Sequence, residues 1–299
     1  MEAASANLAR SSSEKHVEEP ASNKTAQCSV ISIYQANILG LPRNVTVVWS
    51  KNLINHSLSV SVEKSNGDSP FTCKVDLKPW PFWSKKGFKS FEIDGKRVDI
   101  YWDLRSVKFS NGPEPSGGYY VALACDEEVV LLLGDCKKEA YKRTKCRPAL
   151  ESAALVSKRE NVFGKKCFTT RARFDERKTK EHDIIVENSI SGAKDPEMWI
   201  SIDGVVLIHV DNLQWKFRGN ETVMVEKVPV QVFWDVHDWL FGAPGTGHAL
   251  FIFKPGVPGA AAEEDRNGTE GCSSSSGQNG TASSPAPEFC FFLCAWKTE

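Results

Sequence analysis

Arg97-Val98-Asp99-Ile100-Tyr101-Trp102-Asp103-Leu104 and Pro229-Val230-Gln231-Val232-Phe233-Trp234-Asp235-Val236 are the two stretches that decide the fold. In each, the apolar residues recur at every second position, the period that sends successive side chains of a strand to opposite faces. Both end aromatic-Trp-Asp, and they stand 132 residues apart. Their surroundings agree as well. Each is followed by a Pro/Gly loop (Gly112–Gly118 and Gly242–Gly247) and then an apolar run, Tyr119–Cys125 and His248–Phe253. Upstream, Pro70–Asp76 loosely matches Pro196–Asp203. The chain reads as two related halves.

The same period extends outward from these anchors. Leu58, Val60 and Val62 alternate with serines, and Phe168, Thr170, Ala172 and Phe174 alternate with Cys167, Thr169, Arg171 and Arg173. Similar runs lie near 30–38, 44–50, 70–77, 89–93, 117–125, 128–133, 182–188, 197–202, 205–210, 213–218, 222–226 and 248–254. Turn signals such as Asn66-Gly67, Asp94-Gly95 and Asp203-Gly204 separate them. The reading is an all-β protein of two tandem related antiparallel β-sandwich or barrel-like units with one short connecting helix. The helix is expected around Pro148–Arg159, where Pro148 suits a first helical position and Leu150, Ala154 and Leu155 share a face. Residues 1–27 and 257–287 are poor in apolar residues and read as a disordered leader and a disordered hairpin insertion. Between them lie a first β repeat (28–136), a basic, partly helical connector (137–160) and a second β repeat (161–256 plus 288–297) closed by Cys290–Trp296.

Composition narrows the functional classes. Hydrophobic residues make up 41% and charged residues 25%, which indicates a globular chain. There is no apolar run of transmembrane length and no apolar signal core near Met1, so the expected setting is cytoplasmic or nuclear, and the Asn-x-Ser/Thr sequons read as chance. The nine cysteines contain no C-x-x-C pair and read as free thiols. No phosphate-binding glycine motif and no metal-ligand spacing occurs, so no cofactor and no metal are expected.

Three segments, Asn44–Leu53, Cys73–Gly87 (containing Lys78-Pro79-Trp80-Pro81-Phe82-Trp83-Ser84-Lys85-Lys86) and Val232–Phe241, resemble a plant-restricted family known as domain of unknown function 868. The likeness runs from about Cys28 to Trp296, and the closing Ala295-Trp296-Lys297 is similar to the family's usual end. The resemblance implies no activity, ligand or catalytic residue.

Charge placement is the chief chemical anomaly. Residues 137–180 carry fifteen Lys/Arg against five Asp/Glu, a surplus of ten in a chain whose net charge is −1. Such a run is either a solvated linker or a face for nucleic acid or anionic lipid headgroups, with Lys137, Lys138, Lys142, Arg143, Lys145 and Arg147 as first candidates. The segment Lys78–Lys89 interleaves Trp80, Phe82, Trp83 and Phe88 with lysines including Lys85 and Lys86. It reads as a cap over the end of a sandwich or as a stacking surface. Asp235 beside His237 is a standard acid/base combination. The matching residues of the first half are Asp103 and Arg105, which favours a repeated structural contact over an active site. The functional expectation is a non-enzymatic binding or scaffold protein with a protein or anionic partner. The alternatives are an enzyme with an inter-repeat cleft and a polyanion binder acting through the connector.

Overall fold

The computed structural model describes residues 28–64, 69–78, 85–175, 180–190, 195–243, 247–256 and 289–298. The leader, the insertion at 257–287, the Asn66-Gly67 turn and Trp80, Phe82 and Trp83 lie outside the described residues. Strands β1 (Cys28–Ile38), β2 (Leu41–Lys51), β3 (His56–Val62) and β4 (Phe71–Leu77) form an antiparallel meander. Strands β5 (Lys86–Ile93) and β6 (Lys96–Asp103) join, past the small hairpin β7 (Lys108–Phe109) and β8 (Pro115–Gly117), with β9 (Tyr120–Cys125) and β10 (Glu128–Gly134). Helix α1 (Lys137–Thr144) and the two-residue β11 (Arg147–Pro148) lead into the long β12 (Ala154–Gly164). A four-stranded sheet then follows: β13 (Cys167–Ala172), β14 (His182–Asn188), β15 (Met198–Ile202) and β16 (Val205–Val210). Strands β17 (Arg218–Val225), β18 (Val228–Asp235), β19 (His248–Pro255) and β20 (Cys290–Lys297) complete the chain, with helix α2 (His237–Phe241) after β18.

Strand β12 fuses the parts. It pairs antiparallel with β1 and parallel with β20, giving a nine-stranded sheet in the order β17-β18-β19-β20-β12-β1-β2-β3-β4. The sheets are open, so the barrel alternative is replaced by stacked sheets. One hydrophobic core lies between β1–β4 and β5, β6, β9 and β10, built on residues such as Trp49, Leu58, Ile100 and Leu123. The other lies between β13–β16 and β17–β20, around Phe168, Ile184, Trp234, Phe251 and Phe291.

Register places both cores on the same side of the large sheet. Ser32 stands beside Val47 of the first core and beside Lys158, and Lys158 in turn stands beside Phe291 of the second core. Neighbouring residues in register share a face. The strip of β12 and β1 between the two cores is therefore the floor of a seam, with a covering sheet on each side.

The period-two runs form strands where alternation predicted them, and the tight turns follow their chemistry. Asp94-Gly95 and Asp203-Gly204 both take positive φ (50° and 76°; 50° and 78°), as two-residue hairpins require. Three expectations are corrected. Pro148–Arg159 contains no helix: Leu150 is 99% exposed, and Ala154 onward is strand β12, held between two neighbours whose pairing overrides a weak helical pattern. The connecting helix lies earlier, at Lys137–Thr144, where Lys, Glu, Ala and Arg are good helix formers, and α2 is a second, shorter one. Residues 213–218 do not form the expected strand. Leu213 is buried while Trp215 is 82% exposed, and turn bonds from Asn212 O to Trp215 and Lys216 wind this segment instead. The pairing is also not wholly antiparallel, because β12–β20 and β10–β11 run parallel.

Candidate functional site

Asp235 ends β18 as the second residue of a built contact. Its Oδ2 accepts from Arg218 Nε at 2.8 Å and its Oδ1 from the His237 backbone N–H at 3.1 Å. Asp103 at the end of β6 does the same work. It accepts from Lys86 Nζ at 3.2 Å, from the Arg105 guanidinium at 2.9 and 2.8 Å, and from the Arg105 backbone N–H at 3.3 Å. One residue on, Leu104 N donates to Lys85 O and Val236 N to Phe217 O, and both side chains are fully buried. For both aspartates burial raises the pKa, but the cationic partners and the backbone N–H outweigh it and hold the carboxyl below the usual range. His237 turns aside to Asp238, Nδ1 to Oδ1 3.1 Å, among Phe217 and Phe241.

The tryptophans before these aspartates are locked by glycine. Gly87 faces Trp102 and Gly219 faces Trp234 across the β5–β6 and β17–β18 hairpins. A Cβ on Gly87 would lie 2.8 Å from Trp102 Cζ2, and one on Gly219 would press on Trp234 still harder. Only glycine lets the indole lie flat across the neighbouring strand. Trp234 adds a bond from Nε1 to Lys216 O at 3.0 Å.

The basic candidates gather on α1. Ala140 is fully buried against Tyr120, Ala122 and Val129 on the outer face of the five-stranded sheet, so a small side chain lets the helix lie close. Lys145 closes the helix in the left-handed conformation (φ 59°), its N–H bonded to Tyr141 O at 3.0 Å. Lys137, Lys138, Lys142, Arg143 and Lys145 are exposed and, among the described residues, form no ion pair. Arg147 differs, being bound to Glu128 at 2.8 Å. Arg143 lies with its guanidinium 6.0 Å from the Phe88 ring centre. Lys85 and Lys86 lie at the start of β5, whereas Trp80 and Trp83 fall outside the described residues.

A buried charge cluster, invisible to sequence reasoning, occupies the seam. Lys158 on β12 is 18% exposed, and its Nζ is 2.9 Å from Glu114 Oε2 and 3.0 Å from Glu160 Oε1. Glu114 belongs to the β7–β8 loop over the first core, and Thr170 on β13 donates its hydroxyl to Glu160. Burial pulls the Lys158 pKa down, but the two carboxylates outweigh it and raise it above the ordinary lysine value. Tyr34 and Tyr119 close in on the same cluster, and burial pushes both phenols up. Lys158 had counted only as one charge of the basic run, because its burial depends on strands distant in sequence.

At the far end of the first core, a shallow cavity of about 290 Å³ opens between Leu39-Gly40, Asp126 and Ala149–Glu151. Among the described residues no group of three or more His, Cys, Asp or Glu is placed to hold a metal ion. No helix of the described residues is long and apolar enough to cross a membrane.

No curated protein and no solved structure matches the chain. One family model does, over residues 25–297, and it spans both cores and the seam between them. The chain belongs to the family described as plant protein of unknown function (DUF868).

Proposed function

We propose that this chain is a non-enzymatic binding or scaffold protein of two related β-sandwich units, which offers the cationic face of α1 to an anionic partner. The observation that carries the reading is the set of cations on α1 that folding does not use. Lys137, Lys138, Lys142 and Arg143 make no ion pair among the described residues. Lys137 and Lys138 stand in the first turn, where a positive charge opposes the helix dipole at a cost of roughly 0.3–1 kcal/mol each. A charge set placed against its own helix is better explained by a partner than by stability.

The relation of the two units is supported by the recurrence, 132 residues apart, of the Gly87–Trp102 and Gly219–Trp234 contacts and of the Asp103 and Asp235 clamps. That recurrence also weighs against an enzyme using Asp235 and His237. Their side chains are 40% and 45% exposed at a strand end, and Asp235 is engaged as Asp103 is.

Retention of the full-length protein on immobilised heparin, a generic polyanion, tests the reading. The parent should be retained and elute with salt, and Lys138→Glu/Lys142→Glu should elute markedly earlier. No retention of the parent, or unchanged elution of the variant, overturns it.

A further inference from the structure

We infer that the outer face of β5 and β6, walled by α1, is a stacking platform for single-stranded nucleic acid, an inference that rests on reading α1 as an anion-binding surface. Phe88 on β5 is 50% exposed and stands directly opposite Tyr101 on β6. The two rings stack with centres 5.6 Å apart and planes 21° from parallel. They point away from the core, which is built from the alternate residues Phe91, Ile93, Val98 and Ile100. Helix α1 covers β9 and β10 but stops short of these rings, meeting them through Arg143 over Phe88. The result is a shelf: an aromatic floor, open to solvent on one side and bordered by a basic helix on the other.

The electrostatics suit a phosphate backbone. Strands β5 and β6 with α1 hold eight Lys/Arg against four Asp/Glu. The two acids beside Tyr101 are neutralised, Asp99 by Arg97 at 2.8 Å and Asp103 by Lys86 and Arg105. The unpaired cations Lys138 and Lys142 stand on the helix above. Bases have a π-face whatever their identity, so an exposed aromatic pair beside unpaired cations matches a single strand, whose bases are free to stack. A duplex keeps its bases stacked on one another. A lipid surface takes up apolar side chains that project into it, whereas Phe88 belongs to a pleated sheet face beside a helix.

Fluorescence anisotropy with labelled oligouridine and oligothymidine of about 15 nucleotides tests this on the full-length protein, with a duplex of equal length and phosphatidylserine vesicles as comparisons. Single strands should bind better than the duplex and lose affinity between about 50 and 200 mM salt. Phe88→Ala and Phe88→Leu should each weaken single-strand binding about tenfold with the salt dependence unchanged. Lys138→Gln/Lys142→Gln should flatten the salt slope by about one. The ratio of oligouridine to oligothymidine affinity assigns RNA or DNA. Heparin or vesicle binding without oligonucleotide binding overturns the platform and leaves the anionic reading standing. Oligonucleotide binding indifferent to both Phe88 variants overturns it too, and failure to bind any polyanion removes both.

Discussion

Lys158→Met should destabilise the fold more than any surface substitution, because it strands two carboxylates in the seam. The lysine is 18% exposed, with Glu160 at 14% and Glu114 at 37%. Breaking a buried ion pair by removing one partner costs about 3–5 kcal/mol. Glu114 can turn partly to water, which points to the lower end, about 3 kcal/mol. For a folded body of this size that is a fall in Tm of roughly 6–12 °C. Urea and thermal unfolding followed by tryptophan fluorescence would measure it. Adding Glu114→Gln and Glu160→Gln to Lys158→Met removes the stranded charges and should restore most of the loss. The sign of the pH dependence follows from the raised pKa of Lys158. Its contribution is complete below the unfolded lysine value of about 10.4 and fades as pH rises toward the higher folded value. The parent's advantage over Lys158→Met should therefore shrink only in strong alkali. A Lys158→Met protein within about 0.5 kcal/mol of the parent, or a triple variant no better than the single, would refute the reasoning.

Gly219→Ala should cost about 1–3 kcal/mol by forcing Trp234 out of place, with Gly87→Ala somewhat milder, read by urea unfolding. The lowered pKa values of Asp103 and Asp235 predict stability that is present above the unfolded aspartate value of about 3.9 and lost as pH falls through the folded one. An acid titration of unfolding should show this, with a shallower slope in Asp103→Asn. His237→Ala should leave stability within about 0.5 kcal/mol and leave polyanion binding unchanged, because its ring contacts only a partly exposed cluster.

What could be read along the chain was whatever depends on near neighbours. Alternation at Val98, Ile100 and Trp102 and at Val230, Val232 and Trp234 needs only the two-residue pleat, and Asp94-Gly95 and Asp203-Gly204 need only the left-handed conformation. The recurrence of Trp-Asp already pointed to a structural role for Asp235. The basic candidates were legible as composition, but their division was not. Arg147 pairs with Glu128 while Lys142 stays unpaired, and that depends on which strand lies alongside.

The helix was misplaced because Pro148–Arg159 carries a faint 3.6-residue pattern that two flanking strands override, whereas Lys137–Thr144 shows one buried alanine and little else. The sequence by itself determined an all-β chain, its turns and its paired Trp-Asp strand ends, since these follow from local periodicity and backbone preference. Only the tertiary structure decided that β12 would join β1 to β20, that Lys158 would be buried between Glu114 and Glu160, and that Phe88 and Tyr101 would lie open beside α1. Burial is set by which strands become neighbours, and those neighbours are brought together from distant parts of the chain.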